Sequence, residues 1–425
     1  MNEPRSNRVI FALLCFYTLL SMISMAPMNI SFFLLFGVSS FFLILNRKTF
    51  HPGLTALPDF KPYLQAMGFL TFACTLSLIV AKISPAIYAD HAPDITVHGI
   101  LKIWYLLCPL ILLVSFIQAG GTKERLFQVL KCWGIATLVL AVVAVIQFQT
   151  GWPLAQVIPT NPTHFHAILF LGHHLSTSSI LPFPTFVALS LFFGKLTRTG
   201  KADRFELVVG LAGLLILFLS YARTAWLAIP IGIILLFARY LKPKTLFASL
   251  AAFFLLIGIG SQTSLMKERI QNNMGIQDRL RLWEANIDFF KHRPFTGIGW
   301  LKTQEMSEFY FKTISPDHYR EYFWGHAHSN FFEMLGGTGL LGLIAFLFWT
   351  FFTLRLCIRT THLAKEQGQN DLADIAWGVF TALLLLHFNG LTNVTFWEGK
   401  VMHTQMFAVA LVLMIQFILT RKNHP

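Results

Sequence analysis

The residues of this sequence best suited to chemistry are three arginines and two histidines: Arg223, Arg279, Arg281, His326 and His328. A guanidinium is a permanently charged planar fork that donates paired hydrogen bonds to an oxyanion. An imidazole titrates close enough to neutral pH to take up or give back a proton. Arg223 interrupts an apolar stretch, 205–240, whose other charged residues are Glu206 and Arg239. As one helix that stretch is ~54 Å long, too long for a bilayer, so it must turn back, near Ser220 to Thr224. Arg223 then sits at a membrane surface inside a protein-lined cavity, where a charge is expensive unless it meets an anion. Arg279 and Arg281 belong to a stretch from Asp278 to His292 that reads as a helix ended by Pro294, Gly297 and Gly299. Arg279, Trp283, Ile287 and Phe290 recur at helical spacing, so one apolar stripe rests on the rest of the protein and Arg279 points along it. Arg281 falls on a different face. His326 and His328 close the same polar segment, just before the next apolar run.

The elements that must hold these residues are membrane helices. Of 425 residues, 55% are apolar, 12% are charged and 43 are Phe, and apolar runs of about twenty residues, each able to cross ~30 Å of hydrocarbon, recur from end to end. Twelve spans are predicted, at about 9–26, 29–45, 63–83, 100–118, 126–148, 175–194, 205–222, 224–241, 245–262, 331–354, 374–391 and 402–420. The fold class is therefore all-α polytopic. Residues 1–262 carry nine spans, 263–330 form one long loop containing short helices, and 331–425 carry three spans. The first run follows Arg5 and Arg8 and is read as a retained helix rather than a leader, because further spans follow it. A second amphipathic piece in the loop, Met306 to Phe311, is expected to lie on the membrane surface.

Orientation follows from charge. With the N-terminus cytoplasmic, the tails and even-numbered loops hold 20 of the 33 Lys and Arg residues. Most of the others lie in 263–330, a loop long enough to translocate regardless of charge. Both termini are thus expected in the cytoplasm and 263–330 outside. The net charge of +13 is read as this orientation signal, not as a nucleic-acid surface. No dinucleotide fingerprint, P-loop or zinc-ligand spacing is present, so no nucleotide, cofactor or metal is expected.

Other polar groups share the outward side. His164, His166, His173 and His174 cluster in 149–180, without nearby Cys or carboxylate partners, and suit the lining of a site or the headgroup layer better than a metal centre. Asn330, Asn393 and Glu398 are candidate substrate contacts, as is His326. Asn389, Trp397 and Lys400 either bind sugar hydroxyls or close a loop. Gly336, Gly337, Gly339 and Gly342 are read as a close helix-packing surface. The five cysteines form no CxxC pair and are read as filler.

Two stretches carry a family resemblance. Arg223-Thr-Ala-Trp-Leu227 has the form Arg-x-x-x-Leu, and His328-Ser329, nine residues, then Gly339-Leu-Leu-Gly342 has the form His-[Asn/Ser/Gln]-x9-Gly-x-x-[Gly/Thr/Tyr]. Both resemble the signature of the O-antigen ligases, within a superfamily shared with O-antigen polymerases. Arg279 and Trp283, followed by Pro294, Gly297 and Gly299, look like that superfamily's Arg-x-x-x-Trp helix and Pro-x-x-Gly-x-Gly turn.

The resemblance implies a glycosyltransferase in the bacterial inner membrane with a periplasmic site, moving O-antigen or a similar glycan from undecaprenyl diphosphate to lipid A-core. Cleavage at the anomeric carbon leaves a lipid diphosphate. No Asp-x-Asp pair is available to hold a metal against it, so Arg223 and Arg279, with Arg281 as accessory, are assigned the diphosphate. His328 is assigned the acceptor hydroxyl's proton, a scheme that inverts the anomeric configuration. The competing readings are an O-antigen polymerase joining lipid-linked repeat units, a protein-glycosylating relative and, from another class, a transporter of lipid-linked glycan.

Overall fold

The computed structural model describes residues 4–45, 54, 57–84, 95–154, 156–158, 161–240, 244–245, 247–248, 251, 255, 274–318 and 325–421. Among them, helices α1 (Arg5–Leu20), α2 (Met25–Leu45), α3 (Phe60–Ile83), α4 (Thr96–Lys102), α5 (Cys108–Gln118) and α6 (Lys123–Thr150) lead to a short hairpin, β1 (Gln156–Ile158) and β2 (Asn161–His166). Then come α7 (His174–Ile180), α8 (Pro182–Thr199), α9 (Arg204–Leu219), α10 (Arg223–Tyr240), α11 (Met274–His292), α12 (Thr303–Thr313), α13 (Asn330–Glu366), α14 (Asn370–Asn389) and α15 (Gly399–Arg421).

The chain is an all-α polytopic membrane protein. Nine helical segments among the described residues are long and apolar enough to cross a membrane, one of them composed of α4, the following 3₁₀ turn and α5, another of α7 and α8. Eleven of the twelve predicted spans appear as helix; α1 and α9, at 16 residues each, are the short ones. The predicted ninth span, 245–262, lies almost wholly outside the described residues. The predicted fold-back falls between Leu219 and Arg223, where α9 ends and α10 begins. The β1–β2 hairpin is antiparallel, pairing Gln156 with His166, and was not expected from the sequence.

α15 is the axis of the bundle. Every residue from Val401 to Ile415 is buried, and apart from His403, Thr404 and Gln405 that run is apolar on all sides, as suits a fully enclosed helix. The start of α1 and the end of α15 lie at one end, the end toward the termini: Arg125 stands over the Phe11 ring and Arg421 donates to the Gly120 carbonyl. Asp374 there takes Arg198 at 2.7 Å, Arg239 at 3.5 Å and Tyr240 at 2.8 Å, while Asp59 takes Arg359 at 3.0 Å. The ends of α9 and α14 and the starts of α10 and α13 lie at the opposite end, and that end carries the predicted site.

The polar segment after α10 is anchored by a break in α13. At Gly339 the backbone leaves the helix (φ 65°, ψ −164°), which frees carbonyls on either side. The turn after α11 fills the gap: Ile298 and Gly299 donate to the Gly336 and Gly337 carbonyls at 3.0 and 2.9 Å, and Leu340 donates to the Pro294 carbonyl at 2.8 Å. Ser77 of α3 completes the joint, donating to the Gly337 carbonyl and accepting from the Trp300 amide. Of the glycines expected to mark helix packing, Gly336 does pack on a helix, against Asn286 of α11, whereas Gly339 admits a second backbone. A Cβ on Gly297 would lie 2.3 Å from the Gly337 carbonyl carbon, and one on Gly339 would lie 2.5 Å from that of Phe295.

Two expectations about the segment are revised. α12 does not lie on the membrane surface: Met306 and Phe311 form a small core with Leu282, Ala285, Phe289 and Ile298, so α11 covers its apolar face. On α11 the buried face is Leu282, Ala285, Asn286 and Phe289, one step around from the expected stripe, which leaves Trp283 at its edge.

Gly297→Ala should cost on the order of 3 kcal/mol or more, because left-handed backbone strain and a backbone clash add. Gly68→Ala, with nothing within 4 Å of the added carbon, should be neutral or slightly stabilising. Thermal unfolding in detergent measures both, and equal melting temperatures would contradict the joint described here.

Candidate active site

His328 is held by its neighbour. Ala327 is completely buried; its carbonyl accepts from the Trp283 indole at 2.9 Å and its amide donates to Glu333 Oε2 at 2.8 Å. Glu333 also accepts from the Thr303 hydroxyl, and Trp283 stacks on Phe332 with ring centroids 4.7 Å apart. Helices α11, α12 and α13 therefore converge on one residue. His328 itself adopts φ 47°, a left-handed conformation that a side chain tolerates only where its surroundings impose it. Its amide donates to His326 Nδ1 at 3.2 Å, its own Nδ1 is buried with no hydrogen-bond partner among the described residues, and the two rings are 4.4 Å apart.

These histidines line a cavity of about 370 Å³ with His173, Ser176, Gln304, Asn393 and Glu398. Glu398 accepts from the Ser176 hydroxyl and lies 3.6 Å from Lys400, which donates to the Leu171 carbonyl. The histidine segment before α7 is thus tied to the start of α15. His166 and His174 stack at 4.4 Å, as do His173 and His174, and His166 Nδ1 is 3.0 Å from the Ser220 carbonyl at the α9–α10 turn.

Arg279, on the same side of α11 as Trp283, is held below its ordinary value by burial and then by the charge of Arg223; neither Asp278 nor Glu284 is among the groups acting on it. The charge of Arg223 is thus felt at a partly buried Arg279, an arrangement that favours an anion near both. Arg279 acts in turn on both His326 and His328. Burial first, then His326, Arg279 and His173, push His328 down to about 3, whereas the sequence reading has it titrate near neutrality. The physical cause is the closing of the site over it.

The structure thus gathers Arg223, Arg279, His326 and His328 at one end of the bundle, with Asn393 and Glu398 in the cavity wall. Arg281 is half-buried and is not among the groups acting on Arg279 or His328. Asn330 is committed elsewhere: its side chain accepts from the Thr395 and Phe396 amides at 2.9 and 3.2 Å and donates to Thr395 Oγ1 at 3.2 Å. Asn389 donates to Ser179, and the Trp397 indole faces Met334 sulfur, so both close the loop. Glu333, Thr303, Ser176 and Gln304 were missed in the sequence. Glu333 carried a signal, an acid one turn into an otherwise apolar span.

Residues 208–347 match the family model described as O-antigen ligase. Over that segment, about a third of the chain, the protein is similar to the O-antigen ligase family. The matched segment runs from α9 into α13 and so contains both arginines, both histidines and the Gly339 joint, while His173, Asn393 and Glu398 lie outside it. No curated protein matches the chain. The match over 208–347 points to a membrane glycosyltransferase-type enzyme of the ligase and polymerase superfamily, with a lipid-linked glycan and an acceptor as its general partners.

Trp283→Phe keeps the stacked ring but loses the bond to Ala327. It should lower melting by only a few degrees while slowing glycan transfer by about tenfold to a hundredfold through misplacement of His328; a wild-type rate would show that the bond positions nothing. An unfolded chain protonates this imidazole near 6.5 and the native one near 3, so native stability is lost as pH falls through that window. His328→Asn should flatten that loss in unfolding measured against pH.

Proposed function

We propose that this protein transfers a glycan from undecaprenyl diphosphate to a hydroxyl of lipid A-core at the end of the bundle opposite the termini, on the periplasmic face of the inner membrane. The observation that carries the proposal is the pairing of Arg223 and Arg279 beside a strained, uncharged His328. The guanidiniums bind the diphosphate and stabilise the charge it gains on leaving. The acceptor oxygen attacks the anomeric carbon as the carbon–oxygen bond to the diphosphate breaks, and His328 takes the hydroxyl proton. Burial and the Arg279 charge keep that imidazole unprotonated and weakly basic in the empty site. The arriving diphosphate offsets the arginine's field, so basicity rises when the donor is in place. His326, Asn393 and Glu398 contact the sugars, Arg281 assists the donor from outside the pair, and the chemistry needs neither nucleotide nor metal.

The test is transfer by purified protein from a lipid diphosphate-linked glycan to rough lipopolysaccharide, in chelator and without nucleotide. His328→Ala and Arg223→Ala should each lower kcat by about 10²-fold or more while inserting normally, and Arg279→Lys should fall between them and wild type because it keeps charge but not the fork. The product linkage should be inverted; retention rules out direct displacement. Chelator sensitivity overturns the arginine assignment. Longer carrier-linked chains formed without lipopolysaccharide assign the protein as a polymerase instead.

A further inference from the structure

A second cavity, of about 430 Å³, opens between α6, α8 and α9 at the end that carries the termini, far from the histidines. α9 packs closely on both neighbours, with Phe205 and Val209 against Gly134 of α6 and Leu189 of α8 against Gly210. α6 and α8 barely meet there, which leaves the cleft. Its wall is apolar along Leu130, Val187, Leu191 and Val209, and its polar groups are Lys131, Lys195, Asp203, Glu206 and Trp133.

Two of those groups are incompletely satisfied. Trp133 is 1% exposed and its indole N–H has no partner among the described residues, and Glu206 Oε2 is likewise buried without one, although Oε1 takes Lys195 at 2.5 Å. One orphaned donor and one orphaned acceptor in the same wall are costly unless a ligand supplies the complements. The order of groups along the membrane normal specifies that ligand. Glu206 and Lys195 lie within a turn or so of their helix ends, whereas Lys131 and Trp133 lie ~12 to 15 Å along α6 from its start. The apolar wall continues inward.

We propose that this cleft holds one phospholipid with a primary-amine headgroup, of the phosphatidylethanolamine type, from the leaflet on the side of the termini. The ammonium donates to Glu206 Oε2, the phosphate lies between Lys195 and Lys131, an ester carbonyl accepts from the Trp133 indole, and the acyl chains follow Val209 and Val187 toward the bilayer centre. Phosphatidylglycerol offers Glu206 Oε2 a neutral hydroxyl in place of an ammonium, a weaker donor to a carboxylate, and a quaternary amine has no N–H to give. The site is separate from the glycan-transfer reading and does not rest on it.

The experiment is native mass spectrometry of the full-length, delipidated protein, titrated with lipids of identical chains whose headgroup amine carries none, one, two or three methyl groups, and with phosphatidylglycerol. One bound primary-amine lipid per chain is expected, retained about tenfold more tightly than the trimethyl form, the equivalent of one charge-assisted hydrogen bond. Affinity should decline along the methyl series. A flat series, or tighter binding of phosphatidylglycerol, overturns the proposal using the wild-type protein alone. Both variants are checked for monodispersity: Glu206→Gln should reduce the preference, and Trp133→Phe should weaken binding of every lipid in the series alike; unchanged selectivity in the first or unchanged affinity in the second also overturns it.

Discussion

The site depends on a helix that is interrupted where a membrane helix should be continuous. Breaking α13 at Gly339 exposes backbone carbonyls at membrane depth, where no water can satisfy them. The 294–300 turn supplies the missing amides, and Ser77 supplies another donor. A polar segment that would otherwise hang from the bundle is thereby locked to it in one register. Only glycine at 297 and 339 permits the approach, since the two backbones stand where a Cβ would be.

From that joint the rest of the site follows by short steps. Fixing the turn fixes the end of α11, and with it Trp283 at the edge of the buried stripe. Trp283 and Glu333 then grip the carbonyl and amide of Ala327, which forces the next residue into left-handed backbone. Arg279 stands one helical turn before Trp283 and so is delivered to the same place, where the α9–α10 turn brings Arg223. The charge of Arg223 on Arg279 and the desolvation of His328 are the cost of this preorganisation. An anion near the arginines offsets the first.

The two ends of the bundle handle charge differently. At the end with the termini, Asp374 and Asp59 are each shared by arginines, so charges compensate one another as they must near hydrocarbon. At the site end cations gather and Glu398 is the cavity's carboxylate, already engaged by Ser176 and Lys400.

The all-α polytopic class, the order of the described spans and the fold-back at Ser220 to Thr224 were legible in the sequence. Apolar length and the penalty for a charge in hydrocarbon act locally and leave their mark on any stretch of chain. The spacing from His328 to Gly339 was equally visible, but its reason was not, because the backbone it serves lies at 294–299 and nothing local records that pairing. The same holds for the displacement of the α11 stripe, the burial of α12, the use of Asn330 as a clamp and the suppressed basicity of His328. Each is set by which surfaces meet. Tertiary packing alone decides how much water reaches an imidazole and whether an asparagine's hydrogen bonds are already taken, since both depend on neighbours that are distant along the chain.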